Sequence, residues 1–473
     1  MATWTTAVAW AAFLAATSWL AVTVNQVVPQ PYMDEVFHVA QAQAYCRGHY
    51  WAWDPMLTTP PGLYIWSNLV FQLMHLATGQ PIKSLCTVAN LRYSNAALVP
   101  LLLGIVAAIL RHHQQGKQQR RLYIEALAIT AFPVLYFVSV LYYTDTGSTL
   151  LVLTGYYLAL KRWHRLSGLM CLLSLTFRQT NVVWTVLIAY TGALQEFAHL
   201  PIDAAARDHI CTVKAGQLDT LAHGLGHIWQ TAKTLCPHLG QLLPSLLPYF
   251  TVGMAFLGFL LWNKGIVLGD RSHHLAGFHI PQFYYCAMIL LGFLAPVVLR
   301  LNHPVRFMTA VIKFLQNGWQ VAGCLAITAG MGYSIYQFTY EHPFLLSDNR
   351  HYSFYLWKDL YRRHTSVRYL MIPGYCFAVW LLARTLASRQ TLTWCLVYVG
   401  CIALTLIPSP LLEFRYFILP YYFLRLQLGR PRQHRVTYEF ALFALANFIT
   451  LYIFLYKPFT WAQAPHAWQR FMW

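Results

Sequence analysis

The sequence predicts an all-α, polytopic membrane protein, and three observations carry that prediction. Of its 473 residues, 58% are hydrophobic and only 10% are charged, whereas a soluble domain is about a quarter charged. The mean hydropathy is +0.44. Apolar runs close to the roughly 20 residues that cross a bilayer recur along the whole length. They are continuous rather than alternating, which suits helices, whose backbone bonds close internally in lipid, and does not suit a transmembrane β-barrel.

In chain order the apolar segments fall at about 5–25, 93–111, 122–143, 148–162, 166–177, 182–195, 241–262, 283–301, 319–339, 369–386, 391–407, 413–428 and 437–457. That predicts about 12–13 transmembrane helices in one integral membrane domain, 1–473. The first segment lacks a basic flank and a small-residue cleavage site, so it reads as a retained helix. Segments 166–177 and 182–195 are short and flank "FRQTN", as in a broken or re-entrant pair. The stretch 63–90 reads as an amphipathic helix on the membrane surface. The long loop 196–240 reads as a variable connection, and no internal repeat is evident.

The formal net charge is +18, but it is not distributed as in a nucleic-acid-binding protein. Basic residues cluster beside apolar segments, in "RHHQQGKQQRR", "KRWHR" and "RLQLGRPRQHR", the positive-inside pattern. With those clusters cytosolic, the N-terminus is cytosolic and 196–240 is a cytosolic loop. The opposite face then receives 26–92, 144–147, the "FRQTN" kink, 263–282, 340–368 and 408–412. Nearly every unusual polar motif falls on that face, which points to one polar site there. The ten cysteines are scattered without a CxxC pair, so neither a disulfide framework nor a zinc site is expected. P-loop, GxGxxG and GxSxG motifs are absent, and no metal or cofactor is called for.

The first of these motifs, "YMDEVFH", sets Asp34 beside Glu35 directly after the first apolar segment. A neighbouring carboxylate raises one pKa, so one of the pair can serve as a base near neutral pH; the bland alternative is an acidic helix start. Arg178 lies between apolar runs, where an arginine marks either a function or a structural ion pair, and its planar fork suits a phosphate. "LLSDNRHYSFYLWK" gathers Asp348, Asn349, Arg350, His351 and Lys358, donors for sugar hydroxyls or a phosphate, or else a well-capped loop. Glu413 and Arg415 open an apolar segment two residues apart and so share no helix face. "GDRSHH" (Asp270, Arg271, His273, His274) suits a loop as well as a site. "HGLGH" spaces His223 and His227 as metal ligands on a helix but lacks a glutamate and lies on the cytosolic side.

Together "PYMDEVFH", "WDPMLTTPPGLY", "LYYTDTGS", "FRQTN", "GIVLGDRS", "LLSDNRHY", "LLEFRYFILPY" and "QRFMW" resemble, in order, the endoplasmic-reticulum α-1,2-glucosyltransferases that use dolichyl-phosphate glucose (the asparagine-linked glycosylation protein ten family). The resemblance runs from about residue 30 to the C-terminus, broken mainly at 196–240. It implies a GT-C fold with lumenal loop helices and an inverting transfer. The third, terminal glucose passes from dolichyl-phosphate glucose to the diglucosylated dolichol-pyrophosphate-linked oligosaccharide. It further implies a catalytic carboxylate in the first lumenal loop, Asp34 or Glu35 with Asp34 preferred. His38, Arg178, Gln179, Asn181, Asp348, Asn349, Arg350, His351, Glu413 and Arg415 are the expected substrate-binding residues. A carrier would instead show charges near the midplane on several helices, often with pseudo-repeats. A non-catalytic membrane scaffold is the third class, and a glucose-transfer assay separates it from the first.

Overall fold

The structure is a computed structural model that describes residues 2–114, 119–218, 220–269, 271, 276–316 and 318–473. All thirteen predicted apolar segments are helical. Among the described residues, six helices are long and apolar enough to cross a membrane: Ala7–Val27, Val88–His113, Leu221–Asn263, Pro281–Val298, Thr365–Ala387 and Gln433–Tyr456. The others are shorter or less apolar. His164–Leu175 has 12 residues, about 18 Å at 1.5 Å per residue against a hydrocarbon core of about 30 Å. The chain is a multi-pass membrane protein. Its described residues divide into two compact units, Met1–Val213 with Thr220–His274, and Lys214–Asp219 with Leu275–Trp473.

In the first unit, the segment expected at 122–143 is two pieces, Leu122–Thr130 and Pro133–Ser139, bent by 69°. Pro133 supplies no N–H to continue the first piece, and Phe132 before it is pushed to extended backbone (ψ 120°). The second piece is wholly buried, where lipid never meets the interrupted backbone. Asn95 caps it: its Nδ2 donates to the carbonyls of Val138, Ser139 and Leu141, the last at 2.6 Å.

The first loop has a core of its own. Helix Glu35–Cys46 packs on Gly62–Thr78 around Val39, Ala42, Tyr45, Leu57, Leu63, Tyr64 and Phe71. The outer face of Gly62–Thr78 exposes Ile65, Leu69, Leu73 and Leu76 in one stripe, the amphipathic pattern expected of this stretch. Cys46 and Cys86 form a disulfide, which corrects the expectation drawn from scattered cysteines. They are distant in sequence, so only the folded loop brings them together. The cluster "KRWHR" is also more than a tether: Arg162 and His164 both pair with Glu196 at 2.8 Å.

Among the described residues, the second unit is mostly helical and carries an antiparallel hairpin, Phe459–Trp461 with Ala464–Gln469. Arg425, expected in a basic tether, lies inside the helix Ile418–Gln427. There it is fully buried and bonded to Glu439 through both Nε and Nη2 at 2.8 Å. The stretch 340–368 carries the short helices Pro343–Ser347, Tyr352–Tyr355 and Thr365–Leu370. Asp270, His273 and His274 lie outside the described residues.

Candidate active site

The chain leaves its first helix at Val27 and turns before the helix Glu35–Cys46 begins. Within that turn Met33 has φ +56°, the left-handed region that a residue with a Cβ seldom enters. Asp34 follows as the N-cap residue. It is half-buried, and its side chain makes no hydrogen bond to the helix end.

Glu35 is placed differently, with no exposure at all. Its carboxylate accepts the backbone N–H of Tyr32 (3.1 Å) and of Tyr142 (2.7 Å), together with Arg92 Nε (2.9 Å) and Nη2 (2.6 Å). An ionised carboxylate has about four acceptor positions, so this one is saturated within the protein. Glu35, expected alongside Asp34 in catalysis, is thus committed in this structure to Tyr32, Tyr142 and Arg92. Its partner Arg92 was missed in the sequence. The signal was available, since a lone arginine beside an apolar run is the same cue that singled out Arg178.

His38, one turn into the helix, is buried with Nδ1 2.7 Å from the Tyr64 hydroxyl and its ring 6.1 Å from that of Tyr143. Burial, with lesser contributions from Tyr142, Tyr45 and Asp54, pushes the Tyr64 hydroxyl well up, so it keeps its proton.

Arg178 approaches the same turn from the other side. Its Nη2 pairs with Asp145 at 2.9 Å and its Nε donates to Thr144 Oγ1 at 3.4 Å. Among the described residues, no hydrogen bond or ion pair is seen at Nη1. The turn 142–145 therefore joins "YMDEVFH", which meets it at Tyr142 and Tyr143, to "FRQTN", which meets it at Thr144 and Asp145. Asp145 was quoted within a motif but given no role.

Gln179 and Asn181, expected to bind substrate, each give the nitrogen of their amide to this region of the protein. Gln179 Nε2 donates to the carbonyls of Thr58 (2.9 Å) and Ile266 (3.0 Å). Asn181 Nδ2 donates to Ser148 Oγ (2.8 Å) and the Ser174 carbonyl (2.9 Å). The close approach of the "FRQTN" turn depends on glycine: a Cβ on Gly147 would overlap the Phe177 ring.

In the second unit, Arg350 grips Asp348 through Nε (2.7 Å) and Nη2 (2.8 Å) and gives Nη1 to Gln469 (2.9 Å). Its guanidinium lies 4.8 Å from the Trp461 ring centroid. Burial alone would raise the Asp348 pKa; the Arg350 hydrogen bonds and the charges of His351 and Arg350 outweigh it and hold the carboxyl below its ordinary range. Asn349 accepts Trp461 Nε1 at 2.8 Å. His351 Nδ1 lies 2.8 Å from the Trp473 carbonyl, and Met472 N–H donates to the Arg350 carbonyl at 2.7 Å. The C-terminal segment thus fastens the whole 348–351 turn. Glu413 and Arg415 pair with each other (2.9 Å), because Glu413 is extended and precedes the short helix rather than lying in it. His227 faces His209 (3.1 Å) rather than His223, and no cluster of three or more His, Cys, Asp or Glu side chains gathers among the described residues.

The chain's relatives agree on one family. The model of the DIE2/ALG10 family matches residues 28–426. A rat protein named Dol-P-Glc:Glc(2)Man(9)GlcNAc(2)-PP-Dol alpha-1,2-glucosyltransferase is 35% identical, over 95% of this chain and 94% of its own. Proteins of the same name from human (34% identical, 95% and 94%) and Arabidopsis thaliana (32% identical, 96% and 97%) match as fully. No solved structure matches. With the family model covering most of its length and relatives above 30% identity aligned nearly end to end, the chain belongs to the DIE2/ALG10 family.

Proposed function

We propose that the protein is an inverting hexosyltransferase of the endoplasmic-reticulum membrane. It transfers glucose from dolichyl-phosphate glucose to the diglucosylated dolichol-pyrophosphate-linked oligosaccharide, forming the terminal α-1,2 linkage. The observation that carries this reading is the turn 142–145, which links the helix start bearing Asp34 to Arg178 (Tyr142 N–H to Glu35, Asp145 to Arg178). Asp34 takes the proton from the acceptor's 2-hydroxyl. The oxygen attacks the anomeric carbon, the carbon–oxygen bond to phosphate breaks, and dolichyl phosphate leaves with the electron pair. Displacement from the face opposite the phosphate converts a β-linked donor to an α-linked product. Arg178, with Nη2 and Nε spent on Asp145 and Thr144, offers Nη1 to the leaving phosphate.

The site faces the lumen in this reading. The Cys46–Cys86 bond supports that side, since disulfides persist in oxidising compartments and not in the cytosol. The basic clusters support it independently. In the second unit, Glu413, Arg415 and the Asp348–His351 turn are the groups proposed to meet substrate. The test is transfer by purified protein from synthetic dolichyl-phosphate glucose to a diglucosylated lipid-linked acceptor. The expected product loses its new glucose to an α-1,2-specific glucosidase. No transfer, or a β-linked product, would overturn the proposal.

A further inference from the structure

Arg92 spends all of its donors on one small region. An arginine has five N–H groups, and Arg92 makes five hydrogen bonds. Nε and Nη2 hold Glu35, Nη1 holds Asn25 Oδ1 (3.2 Å) and the Val28 carbonyl (2.6 Å), and Nη2 also holds the Gln30 carbonyl (3.0 Å). It is entirely buried. The groups it grips are the end of the first helix, the turn after it, and the residue next to Asp34. Through Glu35 it also reaches Tyr142, three residues before Asp145.

We infer that Arg92 is the positioning residue of this site: with Glu35 it forms a fixed node that sets Asp34 relative to the turn carrying Asp145 and Arg178. Three observations converge on that role. The node is saturated on both sides, so neither group remains for substrate. Met33, held in the left-handed region, stands between the carbonyls Arg92 grips and Asp34; such a conformation persists only where its surroundings over-determine it. Finally, Asn95, one helical turn after Arg92 (residues i and i+3), fixes the carbonyls of 138–141. One short helix, Val88–Ala96, thus holds both sides of the site. This inference rests on the reading of Asp34 as the base.

The test is Arg92→Lys, alone and combined with Asp34→Asn, in full-length purified enzyme. Lysine keeps the buried charge but offers three donors from one atom instead of a planar fork. For Arg92→Lys, kcat per folded molecule is expected to fall at least 10-fold with the donor KM little changed. In the Asp34→Asn background the same substitution is expected to cost little more, because there is no base left to position. Glu35→Gln, which turns a donor toward Arg92, is expected to repeat the kcat loss. If Arg92→Lys keeps wild-type kcat, or lowers activity by the same factor in both backgrounds, Arg92 serves folding alone and the inference is wrong. A wild-type rate for Asp34→Asn by itself would instead sink the base assignment, so the two failures are told apart.

Discussion

Opening the Cys46–Cys86 bond is expected to loosen the loop that carries Asp34. The two cysteines are 40 residues apart in sequence. In the chain-entropy picture, closing a loop of about 40 residues removes about 2.1 + 1.5R ln 40, or roughly 13 cal/mol/K, from the unfolded chain, which is about 4 kcal/mol at 25 °C. The sulfurs lie inside the first-loop core, so the bond pins the end of Glu35–Cys46 beside Leu85 and Leu91. Cys46→Ser, Cys86→Ser and the double variant should each lower the thermal stability of the detergent-purified enzyme by similar amounts. A loss for the double variant equal to that of either single one is the mark of a shared bond. Alkylation before and after reduction reads the bond directly, with two further thiols expected to react only after reduction. If both thiols of the untreated protein are alkylated after denaturation without reductant, the bond is absent, and the support it lends to a lumenal loop goes with it.

Two further outcomes follow from the described contacts. Arg178→Lys keeps a charge near Asp145 but loses the fork. A hydrogen bond to a charged group is worth about 1.5–3 kcal/mol, so kcat/KM should fall roughly 10- to 150-fold, and an unchanged value would remove Arg178 from the phosphate site. Asp348 has a depressed pKa, so its pairing stabilises the fold fully above the ordinary aspartate pKa of about 3.9 and the contribution is lost as pH falls below that value through the folded pKa. Wild type should therefore lose more thermal stability than Asp348→Asn between pH 5 and pH 3, and parallel curves would contradict this.

The helical framework was legible because it rests on apolar run length, a property of each segment alone. The break at Phe132–Pro133 was legible in the proline but was covered by the surrounding hydrophobicity. What the sequence did not disclose was pairing. Arg425 stands in a basic cluster and reads as a tether, yet its carboxylate partner Glu439 arrives from the next helix. Arg92, Asp145 and the Cys46–Cys86 bond are likewise defined by partners 33 or more residues away, brought in by the fold. The motifs located the neighbourhood of the site, because its residues are polar where the chain is otherwise apolar. They could not divide Asp34 from Glu35. Adjacent carboxylates are equivalent in sequence, and only the fold turns one into a saturated buried pair and leaves the other half-buried.

The central claim is that Asp34 removes the acceptor proton, and the most direct measurement is turnover and donor affinity of Asp34→Asn in a purified transfer assay. The amide is nearly isosteric and lacks basicity, so turnover should fall by about 10²-fold or more, the scale of a positioned general base, while donor affinity is retained. Turnover of Asp34→Asn at the wild-type rate would contradict the account.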